Sequence, residues 1–139
     1  MKSIMLAAVL AFPLAQAPAP YAGTWTAEQN GRTFVRLELS TAGSAVAGRI
    51  GIGHIELDQN GAVKKVSTAS ALTPIQDVKV AGSVVTFSHK DGADVDHFRL
   101  NVLDNGAAEL TFLLNDADKK ELASTGIASF KPIKLAKTK

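Results

Sequence analysis

Three polar side chains in the second half of the chain have the types and spacing of a small-ligand site. Gln76, His89 and Asp96 supply an amide, an imidazole and a carboxylate, and each belongs to a run of alternating apolar residues. If these runs pair as antiparallel strands, Gln76 lies opposite His89 and His89 lies opposite Asp96, on the face shared by the apolar residues. Asp96 would then fix the histidine tautomer, and Gln76 would offer an amide contact above an apolar cavity. A solvated strand end explains the same row without any ligand.

Other chemistry-bearing residues form no catalytic or metal-binding motif. A zinc site needs three or four converging ligands, but His97 has the opposite strand parity to His89. The acidic stretch over residues 90–96 lacks the EF-hand spacing and is typical of a hairpin turn. Ser88 lies opposite His97 on the predicted outward face and has no Gly-x-Ser-x-Gly motif around it. We therefore expect no catalytic residue, no metal site and no cofactor.

The composition indicates one globular domain. The chain has 139 residues, of which 46% are hydrophobic and 20% charged, and it contains no cysteine. These values exclude collagenous, disulfide-stapled and compositionally disordered proteins. Lys and Arg number 15 against 13 Asp and Glu, so the net charge is only +2. Because the two signs nearly balance and Phe87, Phe98 and Phe112 belong to the predicted core, we expect no nucleic-acid partner.

The first residues have the organisation of a secretory signal peptide. Lys2 precedes an apolar stretch over residues 4–14, and residues 15–17 (AQA) have the small-x-small pattern of a cleavage site. The apolar stretch is shorter than the roughly 20 residues that span a bilayer, so we expect no integral membrane insertion. The sequence therefore predicts a signal peptide over residues 1–17, a flexible lead-in over residues 18–22, and export to the periplasm or the medium.

Two hairpins are predicted at the start of the mature chain. Residues 29–31 have the composition of a three-residue loop and residues 41–44 that of a four-residue loop. These loops predict the opposite pairs Trp25–Val35, Ala27–Thr33, Leu39–Val46, Leu37–Gly48 and Val35–Ile50. Each pair keeps apolar or small residues on one face of the sheet.

Three further hairpins follow from glycine-containing turns at residues 82–83, 91–94 and 104–106. They predict the opposite pairs Val80–Val85, Val78–Phe87, Phe87–Phe98, Val85–Leu100, Leu100–Leu110 and Phe98–Phe112. A one-residue slip would expose all of these side chains, so turn chemistry and apolar pattern support the same register.

The remaining segments complete an all-β domain. Residues 51–71 break the alternation, with a bend or bulge suggested by their glycines. Asn115 or Asp116 can cap a short helix through Ala123, and a closing strand follows. We therefore predict an antiparallel up-and-down β-barrel of about eight or nine strands over residues 23–136. One short helix precedes the last strand, and residues 137–139 form a basic tail.

Gly23, Thr24 and Trp25, the meander of strands and the helix before the last strand together resemble the calycin group, which comprises lipocalins and avidin-like proteins. The resemblance extends over residues 23–135 and is similar in plan to small calycin-like domains of uncharacterised exported bacterial proteins. It implies that Trp25 closes the barrel base and that a basic residue, here Lys131 or Lys134, packs across it. Because the chain has a single tryptophan, the resemblance does not imply the biotin pocket of avidins.

Two functions follow from this fold. The first is an exported, non-enzymatic barrel whose interior binds or shields a small, mainly apolar ligand. The alternative is a barrel filled by its own side chains that acts as a structural or protein-interaction module. Large inward residues such as Trp25 and Phe98 favour filling, whereas Ala27, Gly48 and Ala108 leave room. Both functions stay open at this point, and no feature indicates an oligomeric state.

Overall fold

The chain forms an antiparallel, nearly closed β-barrel. The computed structural model describes residues 19–103, 106–127 and 129–138, so the predicted signal peptide over residues 1–17 lies outside the described residues. The elements are β1 Gly23–Gln29, β2 Arg32–Ala42, β3 Ala45–Ile52, β4 Ile55–Leu57, β5 Val63–Val66, β6 Thr73–Pro74, β7 Gln76–Ala81, β8 Val84–Asp91, β9 Asp94–Val102, β10 Ala107–Leu113, α1 Asp116–Ser124 and β11 Ile133–Thr138. The predicted all-β barrel with a helix before the last strand is confirmed.

Nine of these strands form one sheet, in the order β6-β3-β2-β1-β11-β10-β9-β8-β7. The segment that contains β6 and β7 brings the two ends of this sheet together. Pro74 pairs with Arg49 of β3, and the backbone N–H of Ile75 donates to the carbonyl of Gly48 at 3.0 Å. A few residues later, Val80 pairs with Val85 of β8. One short stretch of chain therefore spans from β3 to β8.

The change of partner takes place at a bulge. Asp77 has a φ of 53°, a left-handed conformation that is uncommon for a residue other than glycine. The pairing of β7 with β8 shifts between Gln76 and Lys79, so Gln76 lies opposite Ser88. The predicted Val80–Val85 pair is confirmed, and the same register holds for Lys79 and Thr86 before it shifts towards Gln76. The predicted Val78–Phe87 pair lies inside this irregular stretch, between the paired residues Gln76 and Lys79.

The first two hairpins have tighter turns than predicted. Asn30 and Gly31, with φ angles of 52° and 77°, form a two-residue turn of the kind that Asn-Gly sequences favour. The β1–β2 ladder also contains a bulge, and a second two-residue turn lies between Ala42 and Ala45. Together these features account for the difference between the predicted and the observed registers. The observed pairs are Trp25–Leu37, Ala27–Val35, Thr41–Val46, Leu39–Gly48, Leu37–Ile50 and Val35–Ile52. The predicted pairs were wrong by two residues, a displacement that preserves the face of every side chain.

The later hairpins follow the predicted register. Phe87 lies opposite Phe98, and Phe98 lies opposite Phe112. The pairs Val85–Leu100 and Leu100–Leu110 are confirmed as well. These strands carry much of the core, whose largest fully buried apolar side chains are Trp25, Phe98, Leu37, Ile50, Leu100, Leu110, Val35 and Val85.

Trp25 closes one end of the barrel together with the last strand. Its ring is fully buried, and its indole N–H donates to the carbonyl of Tyr21 at 2.9 Å. Lys137 pairs directly with Trp25 across the sheet, and its Nζ lies 5.2 Å from the centre of the indole ring. The same ammonium donates to the carbonyl of Pro20 at 3.2 Å. Residues 19–22 are therefore attached to the barrel rather than forming a free lead-in.

The lysine over Trp25 is thus neither Lys131 nor Lys134. Both of these lie at the other end of β11, where they line a shallow depression with Phe34 and Ala62. Lys137 shares strand parity with the buried Ile133 and Leu135, so its exposed side chain lies on the face of β11 that carries them, over the Trp25 ring. Residues 137 and 138 consequently belong to β11 and not to a tail.

Residues 51–72 fold back along the edge of β3. The hairpin of β4 and β5 packs against the core through Ile55, Val63 and Val66, and the carbonyl of Gly61 in its turn accepts the Lys131 N–H at 2.9 Å. The chain then returns through residues 67–71. His54 and Ser67 exchange hydrogen bonds, and the Gly53 N–H donates to the carbonyl of Phe34 at 2.8 Å. A Cβ on Gly53 would lie only 2.0 Å from the carbonyl oxygen of Ser67, so glycine is required for this close approach.

Helix α1 is capped as the sequence predicts. The Asn115 side-chain oxygen accepts the backbone N–H of Asp118 at 2.8 Å. Gly126, with a φ of 88°, follows the helix end. None of the described helix residues is buried, and Asp118, Glu121 and Leu122 of the helix line a groove together with Asp96 and Phe130.

We expect Trp25→Ala to lower the free energy of unfolding by about 3–5 kcal/mol, because truncating a large buried aromatic leaves a cavity. Urea unfolding followed by circular dichroism measures this loss. Val95→Ala is the control: Val95 is 46% exposed, and its truncation should change stability by less than about 0.5 kcal/mol. A Trp25→Ala loss as small as that of the control would contradict the assignment of Trp25 as the closing residue of the barrel.

Candidate functional site

A cavity of about 750 Å³ opens at the end of the barrel opposite Trp25. The ends of β3, β8 and β10 and the start of β9 meet there, and the returning segment over residues 70–73 forms another side. Its apolar lining includes Ile52, Ile55, Ala71, Phe112 and Phe130, and its polar lining includes His54, Ser70, Thr73, His89, Lys90, Asp91 and Asp96. We call this cavity the open end.

Four phenylalanines connect the open end with the core. The Phe87 and Phe98 rings stack at 5.3 Å, and Phe98 meets Phe112 edge-on at 4.8 Å. Phe112 then stacks on Phe130 at 4.5 Å. Phe87 and Phe98 are buried, whereas Phe112 and Phe130 are partly exposed and line the cavity. The floor of the open end is therefore a rigid aromatic surface supported by the core.

Two of the three residues of the predicted polar row meet at this cavity. His89 lies opposite Asp96, and both line the open end. Asp96 has the strand parity of the buried Phe98 and Leu100, which directs its side chain inward. Their alternation in the sequence was sufficient to predict this pair.

Gln76, the third predicted residue, is not part of the arrangement. The bulge at Asp77 places Gln76 opposite Ser88 instead of His89, and its side chain is exposed. Thr73 of β6 contacts His89 in its stead, with the threonine hydroxyl 2.5 Å from the imidazole Nε2. Thr73 could not be predicted from a turn or from an alternating pattern. Its position beside His89 depends on the pairing of β6 with β3, for which the sequence has no signal.

Ser88 is buried rather than exposed, with 1% of its surface accessible. Its hydroxyl bonds with the Asp77 carboxylate at 3.0 Å and with the carbonyl of Gln76 at 3.3 Å. These partners belong to the bulge on the outer side of β8. Ser88 therefore holds the bulge in place, and its register opposite His97 is as predicted.

In three comparisons with known proteins, no family model, no curated protein and no solved structure matches this chain.

Asp96 is the electrostatically perturbed group of the open end. Burial raises the pKa of its carboxyl above the ordinary value, and the nearby carboxylates of Asp91, Asp118 and Asp94 raise it further. His89 has a smaller, opposing effect. The ionised form of Asp96 is thus disfavoured by its surroundings, although its half-exposed position keeps it in contact with solvent.

At the open end the Thr73 hydroxyl, the His89 imidazole and the Asp96 carboxylate follow one another. The same three groups occur in this order where a histidine acts as general base towards a hydroxyl nucleophile. Such activation needs a hydrogen bond that orients the imidazole. Among the described side chains, His89 bonds with Thr73, while its relation to Asp96 is one of cross-strand proximity and charge. The arrangement can therefore present hydrogen-bonding groups and a charge to a ligand above an aromatic floor.

Over the described parts of the chain, no three His, Asp or Glu side chains are grouped so that they could hold a metal ion. The helix within those parts is too short and too polar to cross a membrane.

We expect Asp96→Asn to raise the urea midpoint at neutral pH. The folded-state pKa of Asp96 lies above its unfolded-state pKa, so the ionised carboxylate costs stability at neutral pH. This cost disappears as the pH falls through the folded pKa towards the unfolded value of about 3.9. The gain from Asp96→Asn should therefore vanish in acid.

Midpoints measured from neutral pH down to below the unfolded pKa test this sign. Asp94→Asn is the matched control, because Asp94 is exposed beside the turn two residues earlier on the same strand. Its midpoint should change much less than that of Asp96→Asn, because Asp94 makes the smallest contribution to the raised pKa of Asp96. A lower midpoint for Asp96→Asn at neutral pH would mean that the carboxylate stabilises the fold.

Proposed function

We propose that this chain is an exported, non-enzymatic, calycin-like barrel that binds or shields a small, mainly apolar molecule at its open end. The open-end cavity is the observation that carries this proposal. Its volume of about 750 Å³ falls within the roughly 300–1,000 Å³ typical of small-molecule sites, which often occupy the mouths of β-barrels.

The lining supports an apolar ligand with a few polar contacts. Phe112, Phe130, Ile52 and Ile55 offer apolar surface, whereas His89 with Thr73 and Asp96 offer hydrogen bonds at the rim. The ligand would lie above the Phe112 ring rather than deep in the barrel. Below that level, Phe98, Leu100 and their neighbours already fill the interior.

This filled interior also supports the alternative, a structural or protein-interaction module that needs no ligand. Trp25, Leu37, Ile50 and Leu110 are fully buried, and together with the aromatic series they account for the closed part of the barrel. Occupancy of the open end separates the two functions, because only the first requires a molecule there.

The proposal of export rests on the sequence of the N-terminus. Residues 1–17 have the charge, apolar stretch and small-residue pattern of a signal peptide. The lack of cysteine makes the fold independent of the redox state of the compartment. The β-barrel architecture and the position of the helix support the calycin-like assignment.

Native mass spectrometry of the protein, purified gently from the exported fraction, tests binding and export together. We expect a mass that lacks the signal peptide and a reproducible non-covalent adduct above the apo mass. Ala71→Trp should abolish the adduct by filling the open end, while Ala42→Trp, at an exposed position outside the cavity, should retain it. An adduct that survives Ala71→Trp would show that the ligand binds elsewhere.

We expect His89→Ala to weaken binding of a small neutral probe, 4-phenylbutan-1-ol, about two- to tenfold through the loss of one hydrogen-bonding group. Stability should change by no more than about 0.5 kcal/mol, because the ring is half exposed at the rim. Isothermal titration and urea unfolding measure the two effects.

The control for this variant is His97→Ala, since His97 is exposed on the outer face of β9 and lies outside the cavity lining. Its affinity for the probe should equal that of the parent protein. Equal affinities for both alanine variants would remove His89 from the site.

A further inference from the structure

Asp96 occupies a boundary between two neighbouring depressions. It lines the open end together with Phe112 and Phe130, and it also lines a groove of about 370 Å³ beside α1. Phe130 is shared by the same two depressions. The carboxylate and the aromatic surface are therefore presented side by side to any molecule that enters from this direction.

The aromatic surface is suited to a cation as well as to an apolar group. Phe112 and Phe130 are stacked face to face with their rings 17° from parallel, so each ring covers one face of the other and the remaining aromatic surface faces the cavity. Aromatic faces carry partial negative charge and attract ammonium groups that lie within about 6 Å. An aromatic stack next to a carboxylate attracts positive charge by two independent mechanisms.

The charged side chains around Asp96 are mainly negative, so they also favour a positively charged ligand. Asp91 lines the open end, and Asp118 and Glu121 line the adjoining groove. Among the described residues that line the open end there is one lysine, Lys90, which is exposed to solvent. Because burial and neighbouring carboxylates raise the pKa of Asp96, a bound cation would relieve an existing electrostatic cost.

We propose that the open end recognises amphipathic amines, with the ammonium group at Asp96 and the apolar body against the Phe112–Phe130 stack. This inference rests on the proposed function and specifies the chemical class of its ligand. The Thr73–His89 pair lies directly beside Asp96, on the neighbouring strands, and serves as a second polar contact for the same molecule.

Three probes that share one apolar body test the charge preference. These are 4-phenylbutan-1-amine, 4-phenylbutan-1-ol and 4-phenylbutanoate, titrated calorimetrically into the parent protein at neutral pH and low salt. We expect the amine to bind about tenfold more tightly than the alcohol, since its charge gains both the carboxylate and the aromatic faces. The carboxylate should bind more weakly than the alcohol.

Asp96→Asn should reduce the affinity for the amine to about that variant's own affinity for the alcohol, because the charge that distinguishes the two probes has lost its partner. Asp94→Asn removes the same charge at an exposed position outside the cavity lining, and it should retain most of the preference for the amine. Ala71→Trp should abolish binding of all three probes.

The outcomes separate this inference from the function on which it depends. Equal affinities of amine and alcohol for the parent protein, or an unchanged amine preference in Asp96→Asn, would overturn the inference and leave the binding function intact. Failure of every probe to bind at millimolar concentration would contradict the binding function itself, and the inference with it.

Discussion

The closure of the barrel by the segment Thr73–Ala81 is the constraint on which the rest of the structure depends. A β-sheet with two free ends exposes unpaired backbone groups, and only closure removes them. This chain achieves closure with a single stretch that pairs with β3 at its start and with β8 at its end. The bulge at Asp77 allows the change of partner, and Ser88 is buried to hold that bulge. The same crossing brings Thr73 to His89, so one backbone feature both closes the barrel and completes the polar rim of the open end.

The two ends of the barrel differ in how their inward residues are satisfied. At the base, the Trp25 indole N–H donates to the carbonyl of Tyr21. The Lys137 ammonium donates to the carbonyl of Pro20 and lies over the Trp25 ring. At the open end, the Phe112–Phe130 stack and the Asp96 carboxylate face a cavity. The aromatic series that begins at Phe87 supports this stack from the core. The buried core thus supports a surface whose own polar and apolar groups are only partly covered.

Much of this arrangement could be predicted from the sequence. The alternation of apolar and polar residues shows which face of the sheet a side chain lies on, whereas its exact partner on the next strand depends on the turn. The Phe87–Phe98–Phe112 series and the His89–Asp96 pair follow from turns of unambiguous length. In the first hairpins, two-residue turns replaced the longer loops expected, yet the two-residue displacement left each side chain on its predicted face. Bulges have no comparable signal, so Gln76 was assigned to a place that Thr73 occupies. Lys137 could have been found from its parity with Ile133 and Leu135, but the predicted strand ended one residue too early.

The position of β11 between β1 and β10 constrains when this protein can fold. Thr24 and Thr138 are partners in the β1–β11 ladder, and the hydrogen bond between them joins residues 114 positions apart. Until the last strand is available, β1 and β10 both keep an unpaired edge, and Trp25 lacks the strand that covers it. Pairing over such a separation is slow, since a long loop must close before the contacts form. The barrel therefore cannot close before β11 has been synthesised, and any shorter nascent chain leaves the seam between β1 and β10 open.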